Sequence, residues 1–263
     1  MTPHPPVTRT ERALEVPPEE ARVQFGDRFG LAEQYAALLS STGVDHGLIG
    51  PREVPRLWTR HLLNCAVVGE LIPHGSRVVD VGSGAGLPGI PLALARPDLT
   101  VILVEPLLRR VRWLATAIDE LGLSDVTIHR GRAEDLPPSE ASEVVTARAV
   151  ARLARLGAWC APAVLPGGRL LALKGSTAQT ELDEDRAALA RVGFDEAAVR
   201  TVGHGVVDPP TIVVECRRAT SEGRLTGADR ASSPKGRTTV GNRGRRRSRS
   251  EQGGRRTGRR PAQ

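Results

Sequence analysis

Apolar positions change their period along the chain. At 77–81, 100–105, 125–129, 143–147 and 169–174 they form short runs rich in Val, Ile and Leu, which predict buried strands. At 87–96, 107–122, 150–162 and 177–192 they recur at helical spacing. This alternation predicts a mostly parallel sheet with helices on both faces. Two later β-rich runs, 197–202 and 211–216, have no helix between them. They predict a hairpin that brings the sheet to seven strands and adds an antiparallel last strand at its edge.

Upstream the period is helical again. Residues 19–41 read as one or two amphipathic helices, with Val23, Phe25, Phe29, Leu31, Tyr35, Leu38 and Leu39 on the buried side. Residues 54–71 follow, with Leu57, Trp58, His61, Leu62, Cys65 and Val68 near helical spacing, and Pro73-His74-Gly75 stops them. Residues 19–73 therefore predict a helical cap over one edge of the sheet domain, 74–218. Residues 1–18 are Pro-rich and polar and predict disorder. So do residues 219–263, where Arg, Gly, Ser and Thr dominate.

Charge sharpens that division. The net charge is +7, but from Thr220 onward there are 13 Lys/Arg against 3 Asp/Glu. The remaining 219 residues hold 24 basic and 27 acidic groups, so the body is mildly acidic. Any nucleic-acid surface on it must be a local patch. No apolar run approaches the roughly 18 residues of a membrane helix. The start, Met1-Thr2-Pro3-His4-Pro5-Pro6, lacks the basic and apolar stretches of a signal peptide. Cys65, Cys160 and Cys216 are odd in number and far apart, which suits neither a disulfide framework nor a metal site. They read as reduced thiols in a cytoplasmic protein, with neither a metal nor a membrane as partner.

The chemistry gathers where the first strand meets the first helix of the alternation. Asp80-Val81-Gly82-Ser83-Gly84-Ala85-Gly86 places an acid at the strand end, then three glycines that let a ligand lie against bare backbone. A dinucleotide turn wants G-x-G-x-x-G and brings a helix N-terminus to a pyrophosphate. Here the pattern is D-x-G-x-G-x-G. It resembles the first motif of Rossmann-like class I methyltransferases that use S-adenosylmethionine (SAM). An acid suits that cationic ligand and would repel a phosphate. Asp80, Gly82, Gly84 and Gly86 are thus candidate SAM residues.

Other strand ends supply further candidates, because ligands of open α/β sheets sit at the carboxyl ends of the strands. Glu105 lies 25 residues after Asp80 and can accept from ribose hydroxyls; otherwise it caps the next helix. Gly131-Arg132-Ala133-Glu134-Asp135 follows the third strand, where Ala133 and Glu134 can border an adenine; otherwise it is a surface turn. Arg148 interrupts an apolar stretch and needs a partner, either SAM or RNA or an internal ion pair. Lys174 can hold a phosphate or a target base, or reach for water. His61 can serve RNA or be a satisfied buried histidine. Asp208-Pro209-Pro210-Thr211 looks like the D/N-P-P-Y/F motif of amino-group methyltransferases, but it follows the fifth strand and ends in Thr. It reads as the hairpin loop. No nucleophilic Cys stands at the fourth-strand end to support carbon methylation of a pyrimidine.

Together these stretches resemble the bacterial ribosomal RNA small-subunit methyltransferase G family, also called the glucose-inhibited division protein B group. The resemblance rests on Arg60-His61-Leu62-Leu63-Asn64, Asp80 to Ala93, Gly131 to Glu134, Arg148-Ala149 and Lys174-Gly175, in that order. Gly84-Ala85-Gly86-Leu87-Pro88-Gly89-Ile90-Pro91 is the most specific part. The resemblance implies SAM-dependent methylation of guanine N7 in 16S rRNA, at guanine 527. It implies SAM contacts at Gly82, Leu87, Ala133, Glu134 and Arg148. It also implies a monomer acting on 16S rRNA, within the small ribosomal subunit or its precursor. Arg148 and Lys174 then act by position and charge, with no general base. The sequence departs from the family at Asn64-Cys65, where many members have Asp-Ser. Two other classes fit the residues: a small-molecule SAM methyltransferase, and a non-catalytic SAM- or RNA-binding module.

Overall fold

The structure, a computed structural model, describes residues 13–148 and 151–220. The expected basic tail lies outside them from residue 221 onward. Seven strands form one sheet: β1 (Arg77–Val81), β2 (Thr100–Val104), β3 (Val126–His129), β4 (Ser142–Arg148), β5 (Val164–Lys174), β6 (Phe194–Val202) and β7 (Thr211–Arg218). Their order is β3-β2-β1-β4-β5-β7-β6. The β1–β2, β1–β4, β2–β3 and β4–β5 pairs are parallel, and β7 runs antiparallel to β5 and β6. The hairpin is as expected, but the antiparallel strand is not at the edge. β7 is buried between two neighbours, and β6 takes the edge.

Alternation along each strand sorts the core into two layers. Val78, Val101, Leu103, Val144, Leu171 and Val213 point to one face. Helices α4 (Gly89–Ala95) and α5 (Leu108–Leu121) cover that face with Ile90, Leu92, Trp113 and Leu114. Val79, Ile102, Val145, Leu170 and Val214 point to the other face, under α6 (Leu153–Cys160) and α7 (Ala178–Arg191).

The N-terminal helices complete the first layer. Helices α1 (Glu19–Phe25) and α2 (Phe29–Leu38) are followed by tight 3-10 and wide π turns, with one α turn, α3 (Asn64–Ala66). Phe25, Tyr35, Leu39, Trp58, Leu62 and Val67 join the same core cluster as the sheet residues. The region shares that core: α1 and α2 pack on α4 and α5, and residues 67–71 touch β6 and β7. Val23 is corrected: it is 81% exposed, because Ala21 and Phe25, four apart, face inward on α1. Expected disorder does not extend through residues 13–18. The Glu15 carboxylate accepts from the Trp58 N–H at 2.7 Å, the Thr59 N–H at 3.1 Å and the Thr59 hydroxyl at 2.9 Å.

Candidate active site

The glycine turn joins β1, which spans 77–81 as expected, to α4. Its glycines do different work. Gly84, at φ 58, is open: a Cβ there would meet nothing closer than the Gly82 carbonyl at 3.8 Å and the Arg110 guanidinium at 3.9 Å. Gly86 and Gly89 serve close packing instead, for a Cβ on either would lie 2.4 Å from Ile90 Cδ1 or 2.3 Å from Leu103 Cδ2.

Asp80 is fully buried beneath this turn. Its carboxylate accepts from the Gly89 N–H at 3.0 Å and the Thr146 hydroxyl at 3.3 Å. Burial pushes its pKa up to about 7. The acid expected to face a ligand cation instead ties the turn to the helix and to β4. Tyr35, from α2, donates its hydroxyl to the Ala85 carbonyl at 2.6 Å, which fixes the turn from the other side.

Glu105 follows β2 and is 1% exposed. It accepts from the Gly84 N–H and the Leu107 N–H, each at 3.0 Å, with Arg110 Nη1 at 3.5 Å. Arg110 Nε is buried without a partner. One carboxylate therefore links the open glycine to the start of α5. Beside it lies a cavity of about 300 Å³ lined by Gly82, Val104, Ala133, Glu134, Arg155 and Trp159, among others. The structure thus brings together the candidates from the glycine turn and the third strand. Arg155 and Trp159 escaped the sequence reading. They are four apart on α6, and the Arg155 guanidinium lies 4.5 Å from the Trp159 ring centroid. Their spacing was the available signal, a ring and a cation on one helix face.

Arg148 and Lys174 stand at the neighbouring strand ends. Arg148 Nη2 lies 2.6 Å from His61 Nδ1 and 3.3 Å from the Arg60 carbonyl; Nη1 donates to Cys65 Sγ at 3.1 Å. His61 Nε2 meets Glu53 at 2.9 Å. Burial, then the Arg148 charge, lowers the His61 pKa to about 4. The ring is therefore neutral at pH 7, with Nε2–H donating to Glu53 and Nδ1 accepting from Arg148. Burial alone would raise Glu53, but hydrogen bonds from Arg56 and His61 outweigh it and hold the carboxyl low. His61 is the satisfied histidine, and its satisfaction is what fixes Arg148. Lys174 is neither a free cation nor reaching for water. Its Nζ donates to Glu181 at 2.8 Å and to the Ala151 carbonyl at 2.9 Å.

A second cavity, about 560 Å³, opens beside Arg148, Lys174, Arg60 and Asn64. Among the described residues no group of His, Cys, Asp and Glu is arranged to hold a metal ion, and no helix is long and apolar enough to cross a membrane. The three cysteines are free and buried.

Residues 29–207 match the model of the family described as rRNA small subunit methyltransferase G. The chain belongs to this family. The ribosomal RNA small subunit methyltransferase G of Streptomyces avermitilis is 56% identical over 217 residues, covering 80% of this chain and 90% of that one. The protein of the same name from Rhodococcus jostii is 56% identical over 201 residues, 75% and 88% of the two chains. The one from Thermobifida fusca is 52% identical over 220 residues, 84% and 93%. Among solved structures, a glycopeptide N-methyltransferase in complex with sinefungin superposes with a TM-score of 0.50 at 12% identity, over 60% of this chain and 94% of that one. That likeness speaks for the fold. Membership in the methyltransferase G family bears out the resemblance and the class of SAM-dependent methyltransferases.

Proposed function

We propose that the protein transfers the methyl group of SAM to N7 of a guanine in 16S rRNA, guanine 527. We read it as a cytoplasmic monomer that acts on the small ribosomal subunit or its precursor. SAM supplies an electrophilic methyl on a sulfonium. The residues present fit it. Gly84 leaves open space against bare backbone, Glu105 beside it offers a carboxylate for ribose hydroxyls, and Ala133 and Glu134 edge a cavity walled by the Trp159 ring. Gly82, Gly86 and Leu87 shape the turn, and Asp80 braces it from below.

The observation that carries the N7 reading is the state of the strand-end groups. His61 has both ring nitrogens engaged, Glu53 is held by basic neighbours, Asp80 is sealed, and Lys174 is paired. None of these four groups is a free proton acceptor. Guanine N7 has a lone pair and no proton to lose. A site of this kind needs only to orient the base and exclude water. Arg148 does the orienting in this reading, and Lys174 with Glu181 stiffens the neighbouring strand end.

The test is transfer from tritiated SAM to 30S particles and to naked 16S rRNA, followed by borohydride and aniline cleavage and primer extension. Label at one guanine that cleaves is the expected result. Label in cleavage-resistant RNA, or none in RNA, overturns the reading.

A further inference from the structure

We propose that the Pro209-Pro210 loop walls a pocket for the extruded guanine nucleotide. This rests on the function proposed above and names where that reaction's acceptor sits. The loop lies far along the chain from Arg148, yet the topology returns it to the same edge. β7 is antiparallel to β5, so it starts where β5 ends, and Ile212 pairs with Lys174. Residues preceding β7 are therefore delivered to the carboxyl edge of the parallel strands, where open α/β sheets bind ligands. The Thr211 hydroxyl donates to Asn64 Oδ1 at 2.5 Å and lies 3.2 Å from the Asn64 carbonyl. That contact pins the loop to the N-terminal helices across the opening.

The resulting cavity of about 560 Å³ falls within the range of small-molecule sites. Its chemistry is two-sided. Pro209 and Pro210 present rigid apolar faces, while Arg60, Arg148 and Lys174 line the other side. Arg60 is paired with Glu53 at 3.2 Å and Lys174 with Glu181 at 2.8 Å, so Arg148 carries the positive charge of the pocket. No carboxylate lines it among the described residues. A flat ligand with an apolar face and a negative group satisfies both sides, and a nucleotide taken out of its stack is such a ligand. The contacts of Arg148 with His61, Cys65 and Arg60 leave N–H groups of its fork free to donate to guanine O6 or to a phosphate. The cavity is lined by other residues than the 300 Å³ one beside Trp159, so donor and acceptor have separate places at one edge.

Gly175 gives the sharpest test, because it lines the cavity and an added Cβ there meets nothing within 4 Å. In the full-length protein, Gly175→Leu puts a side chain into the space the base would occupy, starting from that Cβ. Calorimetry should show unchanged SAM affinity. Single-turnover transfer to 16S rRNA should fall about 100-fold, as for a misplaced substrate. Filter binding of the same RNA should weaken as well. A milder variant, Pro210→Ala, should raise the KM for RNA about threefold through lost apolar contact with the base. Transfer and RNA binding at wild-type level in Gly175→Leu and Pro210→Ala would overturn the pocket. A wild-type protein that labels no RNA would overturn the parent reading instead.

Discussion

Arg148 Nη2 lies 2.6 Å from His61 Nδ1, and the far nitrogen of the same ring lies 2.9 Å from Glu53. A carboxylate thus fixes an imidazole tautomer, and that tautomer fixes a guanidinium at the end of β4. His61→Ala should release Arg148. A hydrogen bond to a charged group contributes about 1.5–3 kcal/mol, so kcat/KM should drop about 10- to 100-fold. His61→Gln keeps one acceptor and one donor and should recover most of the loss. Equal losses in the two variants would mean that the imidazole acts otherwise than by holding Arg148.

The same histidine and Asp80 have opposite effects on stability. The His61 pKa is lowered from 6.5 to about 4, so the unfolded chain binds more protons between those values and stability falls as the medium is acidified. The Asp80 pKa is raised from 3.8 to about 7, so the folded protein binds more protons there and stability falls as pH rises. From about pH 4 to 6.5 the two oppose each other. In urea titrations against pH, Asp80→Asn should unmask a loss on the acid side of that window relative to wild type. His61→Gln should unmask a loss on its upper side. Parallel curves for all three proteins would refute the assignment.

Trp159 should matter to SAM although the sequence did not single it out. It walls the cavity beside Gly82 and Ala133, and Arg155 covers its ring. Trp159→Ala should weaken SAM about tenfold by calorimetry, in line with about 1–3 kcal/mol for a ring stacked on a base. Glu105→Gln should weaken it by a comparable amount through loss of a charge-assisted contact. NAD should show no measurable heat with wild type. SAM binding unchanged in both variants would place the ligand elsewhere.

Periodicity made the strands, the helices and the glycine turn legible, because burial on one face or both leaves a repeat in the sequence. It could not order the strands. A run such as 211–216 reads the same at an edge or between two neighbours, and only packing put β7 inside. Nor could it pair side chains far apart in sequence. Arg148 announced its need for a partner, but His61 lies 87 residues away. Lys174 looked free because its partner, Glu181, belongs to the next helix. Asp208-Pro209-Pro210-Thr211 was rightly a hairpin loop. What the pattern hid was that an antiparallel strand carries such a loop back to the site.

The last prediction concerns the transfer step itself. Attack by guanine N7 leaves a cationic ring and no proton to remove, so a general base has nothing to contribute. The strand-end groups agree. Burial lowers the His61 pKa to about 4, and both its ring nitrogens are in use. Asp80 does titrate near 7, but it faces Gly89 and Thr146 rather than the cavity. Saturating SAM and RNA remove any effect of its ionisation on binding. Single-turnover rates should then be nearly flat from about pH 6 to 9, the range in which a base such as histidine or lysine would show itself. Arg148→Lys should lower the plateau without introducing a slope, since it changes how the base is held and not where a proton goes. A rate that climbs tenfold per pH unit to a single plateau would require proton removal. It would move the acceptor from N7 to an amino or hydroxyl group.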